Sequence, residues 1–418
     1  MRRVVVTGIG FLSPIGSDIK SLKQNLIEKK SGVKIIESWS QEMSGMATLL
    51  AGAVEEQNFK DIPRKHRRSM GRVAMMSARS MQDAIRDSGL TQEQIEDIKT
   101  GISFGSTMGA NEALIEWISS VYTNRNFKQQ NSMVFLKSMS HTISANLAAM
   151  FKIKGRSIPT CSACTSSSQA IGAGYESIKY GMSDIMFVGG GEGLHYLSEG
   201  VFEVMGACST EYNDSPMLTP RPFDSNRDGL IVGEGAGTLV LEEYESAKRR
   251  GAKIYAEIKG YATTCDGNHL TTPSREGMSS VMNLALQDAN ISPSQIGYIN
   301  AHATATIKGD IEESHATYNL FENKTPISST KSYMGHLLGG CGVVESIISI
   351  IALNDRLLPA NRTLQSVDKE CADLDYLFEH RYEDIEFVMN NNFAFGGINT
   401  SLIFNAHRTL LYSDRKLF

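Results

Sequence analysis

The sequence predicts an α/β fold made of two duplicated halves, residues 1–250 and 251–418. Three observations carry this reading. Short β-rich runs alternate with longer helical patterns along the chain, as expected for buried strands separated by helices. The 37 glycines against 10 prolines suit many tight strand-to-helix turns. The segment Ala84–Ile95 also aligns without gaps to Ala285–Ile296, with four of twelve positions identical. Each copy reads as a helix end, a loop and a short capped turn, leading into a strand that ends in small residues.

The elements follow in chain order. Val4-Val5-Val6 makes the first strand, Arg3–Thr7; Gly8 and Gly10 cut the apolar run too early for an export signal. Met70–Asp87 is a helix and Thr100–Phe104 a strand. A strand ends at Ile158-Pro159-Thr160, and Ser166–Lys179 is a helix of very small residues. Strand Asp184–Gly190 follows. The glycine-rich run Gly229–Gly237 is a turn feeding strand Thr238–Glu242, where other backbone comes close. The second half repeats the alternation: strand Ile254–Gly260, helix Gly277–Asp288, strand Gly297–Ala301, helix Leu338–Leu353, then strands Phe387–Asn391 and Ser401–Phe404. The strands are expected to be mainly parallel.

Composition narrows the function classes. With 418 residues, 41% hydrophobic and 21% charged, the chain can bury a large core, which excludes disordered, collagenous and disulfide-scaffold classes. No uncharged apolar run approaches 18 residues, so no membrane span is expected. A net charge of −5 gives no sign of nucleic-acid binding. Six cysteines without an export signal are expected to be reduced, in the cytoplasm.

The sharpest chemical segment is Cys161-Ser-Ala-Cys164, just before the small-residue helix. Unpaired N–H groups and the positive dipole end there would lower the pKa of a thiol, and could hold an oxyanion formed at a thioester carbonyl. Four readings of the two cysteines compete: half a zinc site, a redox dithiol, inert core residues, or a nucleophilic Cys164. Zinc lacks a second C-x-x-C or a nearby histidine at ligand spacing. Of the nine histidines, His302 and His336 stand out. Each lies after a buried strand and beside small residues, where open α/β sheets build sites.

Two motifs are weaker. Thr7-Gly-Ile-Gly-Phe-Leu-Ser13 lacks the third glycine of a dinucleotide loop. Asp224–Gly229 starts like an EF-hand, but Gly235 stands where a bidentate Glu is required. The basic run Arg64-Lys65-His66-Arg67-Arg68, with Arg72, is either a solvated face or a docking patch for an acidic partner.

Taken together, the motifs resemble the elongating β-ketoacyl-acyl carrier protein synthases, ketosynthases with a Cys-His-His site in the thiolase superfamily. The likeness runs from Val4–Gly10 through Ser162-Ala-Cys164, Pro222-Phe-Asp224, Gly233–Gly237, Asn300–Asp310 and Lys331–Gly342 to Asn392–Asn399. It implies the thiolase fold, with five α-β-α-β-α layers. It implies decarboxylative condensation of an acyl group on Cys164 with a malonyl thioester polarised by His302 and His336. The N–H groups of Cys164 and Phe395 would hold the oxyanion, and Phe395 would gate the site. Lys331 and Glu313 would form a supporting ion pair, while Thr304 and Thr306 would bind the pantetheine arm. Met108 would face the acyl channel. Asn300, Glu345 and Asn391 would hold a structural monovalent cation, with Asn390 replacing the usual Ser. Arg64, Lys65, Arg67 and Arg68, extended by Arg125 and Lys128, would dock the acidic acyl carrier protein.

The resemblance implies no cofactor beyond the carrier's phosphopantetheine. It implies a homodimer, or a heterodimer with a chain-length-factor-like subunit. Ala303, Ile307, Thr165 and Met108 depart from the housekeeping pattern, so a specialised type II polyketide or aryl-polyene ketosynthase is the alternative to fatty-acid elongation. A non-catalytic partner subunit is disfavoured by the presence of Cys164, both histidines and Lys331. A thiolase would need a second active-site cysteine near the C-terminus.

Overall fold

The computed structural model describes residues 1–407. Its main sheet has eleven strands. In chain order the chief elements are β1 (Val4–Leu12), α1 (Arg72–Ser88), β2 (Thr100–Gly105), α2 (Asn111–Asn124), β3 (Ser157–Thr160), α3 (Ser166–Lys179), β4 (Ile185–Glu192), α4 (Tyr196–Val204) and β5 (Gly235–Glu243). There follow β6 (Ala256–Cys265), α5 (Arg275–Ala289), β7 (Ile296–Asn300), α6 (Ile307–Phe321), β8 (Pro326–Ser328), α7 (Cys341–Asp355), β9 (Asp375–Tyr376), β10 (Phe387–Ala394) and β11 (Ile398–Ala406).

Strand order shows the duplication directly. The sheet reads β9-β8-β7-β10-β11-β6-β1-β5-β4-β2-β3. From each end towards the middle, β3-β2-β4-β5-β1 and β8-β7-β10-β11-β6 run through the same sequence of partners, with β9 added at one edge. Pairing directions match as well: parallel for the outer three strands, antiparallel for the next two junctions. The sheet is therefore mixed, not mainly parallel. The turn after Ala394 reverses the chain at once, so β10 and β11 can only pair antiparallel. The two halves meet where Val4–Val6 of β1 pair with Ile258–Ala256 of β6.

The repeated segment is physically the same device twice. Thr91 and Gln94 form a capping box after α1, and Ser292 and Gln295 form one after α5. Asp87 accepts from the Ile9 N–H and the Tyr255 hydroxyl; its counterpart Asp288 accepts from the Tyr261 N–H and the Tyr175 hydroxyl. Each aspartate thus ties an outer helix to the first strand of its half. The glycines of the first motif serve the same packing. A Cβ on Gly8 would come within 2.5 Å of the Ala84 carbonyl oxygen, and one on Gly10 within 2.0 Å of that of Ser80. They let α1 lie close on β1.

Helices α3 and α7 lie in the middle layer and pack on strands of both halves, while α1 and α5 cover the outside. The stretch Leu338–Asp355 is long and apolar enough to cross a membrane, but 89% of it is buried inside the protein. All six cysteines are free.

One buried acid is out of place in this core. Glu199, on α4, is buried among the cluster of Phe202, Cys208, Leu230 and Val232. Burial pushes it up from 4.5 to about 7. The folded state therefore favours the protonated form. This contribution to stability is full below the unfolded value and is lost as pH rises through 7. The melting temperature should fall between about pH 5 and pH 8, and Glu199→Gln should flatten that slope and be the more stable protein at the alkaline end. An unchanged slope in calorimetry would show that Glu199 is ionised in the fold.

Candidate active site

The site is built where loops leave the strand ends and enter the middle layer. After β3, Ala163 takes a left-handed conformation (φ +48°), and Cys164 follows in a tight turn immediately before α3. The turn is pinned by a hydrogen bond from the Ser162 N–H to Ser166 Oγ (2.9 Å). After β8, a helical turn at Lys331–Met334 leads to Gly335 (φ +73°) and His336. His336 is locked by its own backbone: its N–H donates to the Ile231 carbonyl (2.7 Å) and its carbonyl accepts from the Gly233 N–H (2.8 Å). Bare backbone at Gly233 is needed here, because a Cβ would meet the Met334 carbonyl oxygen at 2.8 Å.

After β7, His302 is held by a buried carboxylate. Glu313, on α6, accepts from the N–H groups of His302 (2.8 Å) and Ala303 (2.6 Å). Asp310 accepts from the Ala305 N–H (3.1 Å), where φ is +71°. Burial pushes Glu313 up to about 8 and Asp310 to about 6.

These loops bring Cys164 Sγ and one ring nitrogen of each histidine within 4.8 Å of one another. His336 Nε2 lies 2.9 Å from Sγ, and the two imidazoles stand edge-on at 5.2 Å between centroids. Burial, reinforced by the Lys331 charge, holds both imidazoles well below their ordinary value, so they are neutral. Nδ1 of each ring is buried without a hydrogen-bond partner among the described residues. The proton is therefore assigned to Nε2, leaving an N–H donor on each ring to face the reacting atoms.

The thiol departs from the sequence expectation. Burial pushes Cys164 up to about 12 and outweighs the nearby Lys331 charge and the N–H groups of Cys164 and Phe395 that reach its sulfur. A helix N-terminus alone would lower the value; a dry pocket costs the thiolate more. Cys161 is exposed, 3.6 Å from the Thr107 carbonyl oxygen, and the hydrogen-bond partner of Cys164 is His336.

A cavity of about 530 Å³ opens onto Cys164. His302, His336, Thr304, Thr306 and Phe395 line it, and the two threonine hydroxyls lie 3.2 Å apart. The Phe395 ring is 5.8 Å from Phe202 of α4.

The models of the β-ketoacyl synthase N-terminal and C-terminal domains match residues 1–247 and 255–365. The chain belongs to the β-ketoacyl synthase family. It is 36% identical over 409 residues to 3-oxoacyl-[acyl-carrier-protein] synthase 1 of Haemophilus influenzae, covering 97% of this chain and 100% of the relative. A β-ketoacyl synthase structure from Burkholderia phymatum is 44% identical with a TM-score of 0.95, covering 98% and 100% of the two chains. The type II polyketide ketosynthase AntDE, solved with its acyl-carrier protein AntF, is 29% identical with a TM-score of 0.88, covering 97% and 99%.

Within this family fold, several expected roles need correction. Lys331 forms its ion pair with Glu345, not Glu313; both are fully buried, and Asn392 Nδ2 donates to the second Glu345 oxygen (2.7 Å). Glu313 is occupied by backbone N–H groups instead. Three of the four expected cation residues stay in one hydrogen-bonded chain, Asn390 reaching Glu345 through Asn392, and Asn391 leaves it. Asn300 donates to Asn390 (2.7 Å), Glu345 is neutralised by Lys331, and Asn391 points to the opposite face of β10, towards Met282 Sδ (3.3 Å). Successive side chains on a strand alternate, so Asn391 cannot join Asn390. Arg72 leaves the basic cluster too, making a bidentate pair with buried Glu234 (2.7 and 2.6 Å).

Met108 is half-buried and outside the cavity lining; its N–H donates to Glu192 (3.0 Å). Arg64, Lys65, Arg68, Arg125 and Lys128 are exposed and make no ion pair among the described residues; Arg67 is half-buried against the Ile62 carbonyl (2.8 Å).

One supporting residue escaped the sequence reading. Glu192, at the end of β4, accepts from the N–H groups of Thr107 (2.7 Å), Met108 and Gly339 (3.2 Å), fastening the β2 loop to the segment after His336. An acid closing the apolar run Ile185–Gly191 was the available signal.

Replacing Lys331 by Met leaves Glu345 buried without a countercharge. Unfolding titrations should show a loss of roughly 3–5 kcal/mol, largely recovered in the double variant Lys331→Met/Glu345→Leu. NMR titration should show both imidazoles moving up towards ordinary values in the single variant. Imidazoles that do not move would mean Lys331 exerts no field on them.

Proposed function

We infer that Cys164, His302 and His336 carry out a decarboxylative Claisen condensation, joining an acyl group to malonyl-acyl carrier protein to give a β-ketoacyl thioester. The observation that carries this reading is the convergence of one thiol and two neutral Nε2–H donors at the wall of one cavity. In the first half-reaction, Cys164 Sγ attacks the acyl thioester carbonyl and the carbon–sulfur bond to the carrier breaks. The thiol proton passes to the leaving pantetheine sulfur as that bond breaks, while His336 Nε2–H beside Sγ stays a donor to the Cys164 sulfur. A thiol near 12 is little ionised alone, so this transfer has to accompany attack.

In the second half-reaction, His302 and His336 donate to the malonyl thioester carbonyl oxygen. The bond to the carboxylate breaks, CO₂ leaves, and the electron pair forms an enolate held by the two N–H groups. Its carbon attacks the acyl-Cys164 carbonyl, whose oxyanion is received by the N–H groups of Cys164 and Phe395. Collapse releases the Cys164 sulfur, which takes up one proton. Thr304 and Thr306 hold the pantetheine arm on the cavity wall.

The reaction asks for no cofactor, since the phosphopantetheine belongs to the substrate. Six free cysteines support a cytoplasmic setting. The unpaired edge strand β3 and the exposed apolar side chains Ile118 and Tyr122 of α2 support assembly with a second subunit, either another copy or a chain-length-factor-like chain. The polyketide ketosynthase among the relatives, with Ala303, Ile307 and Thr165 here, supports a specialised pathway beside fatty-acid elongation.

Sulfur and donors should separate in mutants. Cys164→Gln should lose condensation yet still release labelled CO₂ from malonyl carrier protein. His302→Ala and His336→Ala should each lose decarboxylation by about 3–4 kcal/mol of transition-state stabilisation, the scale of one oxyanion donor. Full CO₂ release in both histidine variants would refute the assignment.

The basic face is a docking patch in this reading. The double variant Lys65→Glu/Arg68→Glu should raise the KM for carrier protein and weaken its salt dependence, while small thioesters react as before. Unchanged carrier kinetics would leave the cluster as a solvated face.

A further inference from the structure

One buried thiol beside the site has no part in the chemistry above. Cys341 is the first residue of α7, fully buried, and outside the cavity lining, so it does not meet substrate. Its Sγ lies 3.2 Å from the carbonyl oxygen of Cys164, the nucleophile. The surrounding hydrogen bonds decide where its single proton points. Asn392 Nδ2 donates to the second Glu345 oxygen (2.7 Å) and to Cys341 Sγ (3.5 Å). The Glu345 carboxylate, paired with Lys331, can only accept, so the amide nitrogen has to face it. The amide oxygen takes the Ser168 hydroxyl and an Asn390 N–H (3.3 Å). With the sulfur receiving Asn392, the thiol proton is left for the Cys164 carbonyl. Burial, with the Glu345 charge behind it, pushes the Cys341 thiol well above its ordinary value, so the proton stays on at neutral pH.

We propose that Cys341 is a positioning residue for the acylation half-reaction: its S–H bond to the Cys164 carbonyl aims the nucleophile, and ties it through Asn392 to the Lys331–Glu345 pair. The inference rests on the condensing function proposed above. Cys164 sits in a turn between two anchors. On the N-terminal side, Ala163 is in the left-handed region and the Ser162 N–H is held by Ser166 Oγ. On the C-terminal side, the Cys341 thiol arrives from the start of α7 and holds the Cys164 carbonyl. Fixing both peptide planes fixes the Cα–Cβ bond between them. With it are fixed the 2.9 Å between Sγ and His336 Nε2 and the aim of the Cys164 N–H at the oxyanion. Releasing the carbonyl leaves the histidines in place, since His336 is held by Ile231 and Gly233 and His302 by Glu313. The enolate donors therefore do not need Cys341, whereas the attacking sulfur does, because a misaimed nucleophile loses rate steeply.

Cys341→Ala and Cys341→Ser test this. Both shorten the side chain and neither adds bulk where α3 meets α7, so the fold survives both. Only serine keeps a donor, so the difference between them reads the hydrogen bond and not the lost volume. Acylation is followed by rapid quench and mass spectrometry of Cys164 with octanoyl-loaded acyl carrier protein. Decarboxylation is followed as labelled CO₂ from malonyl carrier protein, with each variant placed in the Cys164→Gln background. Cys341→Ala should acylate about fivefold more slowly, the rate equivalent of about 1 kcal/mol, one neutral hydrogen bond. Cys341→Ser should recover most of that loss, and CO₂ release should match that of Cys164→Gln alone in both. Acylation at the parent rate in Cys341→Ala overturns the proposal. Equal losses in the two variants also overturn it, leaving Cys341 as packing. So does a fall in both half-reactions together, which is a general loosening of the site. A parent protein whose Cys164 takes up no octanoyl group would overturn the condensing reading itself, and this proposal with it.

Discussion

The site depends on how closely α3 and α7 cross. A Cβ on Gly342 would sit 2.0 Å from Ser168 Oγ, so only glycine allows the contact. The crossing is tied by the Val343 N–H donating to Ser167 Oγ (3.1 Å) and by the Cys341 thiol against the Cys164 carbonyl oxygen (3.2 Å). It occurs at the N-terminal ends of both helices. The segments entering those ends carry Cys164 and His336, which for this reason lie 2.9 Å apart although 172 residues separate them. A wider crossing would leave both helices intact and pull the pair apart. The small residues of Ser166–Lys179 are therefore a distance constraint on the chemistry before they are anything else.

Around that crossing the protein buries several carboxylates and satisfies them in two ways. Glu192, Asp310 and Glu313 accept backbone N–H groups from the loops they fix. Glu345 is matched by a full charge, Lys331. The difference has electrostatic consequences. A carboxylate taken up by N–H dipoles positions backbone; an ion pair also leaves a cation whose field reaches the imidazoles. Glu313 and Glu345 are not interchangeable, although both lie near the same lysine.

The legible part of the sequence was whatever depends on neighbours in the chain. Ser166–Lys179 is a helix with the bounds expected from its composition, and the echo at 84–95 and 285–296 marks a real repeat because both copies use the same capping box. Strand direction was not legible, since an apolar run reports burial and not the orientation of its partner. Helix α6 went unread because its sequence, Ile307-Lys-Gly-Asp-Ile-Glu-Glu, turns acids inward to hold the His302 loop and so breaks the apolar stripe. In the site, the three reacting residues were legible from their motifs. The partner of Lys331 was not, because Glu345 comes from the next helix and only packing selects it over Glu313. Asn391 stands apart because β10 is a strand, and strand alternation separates 391 from 390. The thiol shows the converse limit, since the dipole effect follows from sequence position whereas dehydration follows from the finished core.

Phe395 has a consequence for the timing of the reaction. One residue supplies both the ring that stands at the cavity wall and an N–H that reaches the Cys164 sulfur, and it is followed by Gly396 (φ +88°) and Gly397 (φ +70°) at the tip of a hairpin. A swing of the ring alone would widen the passage and leave the donor in place. A shift of the hairpin backbone would withdraw both together. In the second case admission and chemistry exclude each other. A thioester could enter only while the oxyanion has a single donor, and carbon–carbon bond formation would wait for the hairpin to return. The hinge would then act as an interlock, holding the enolate step back until the incoming chain is sealed from water.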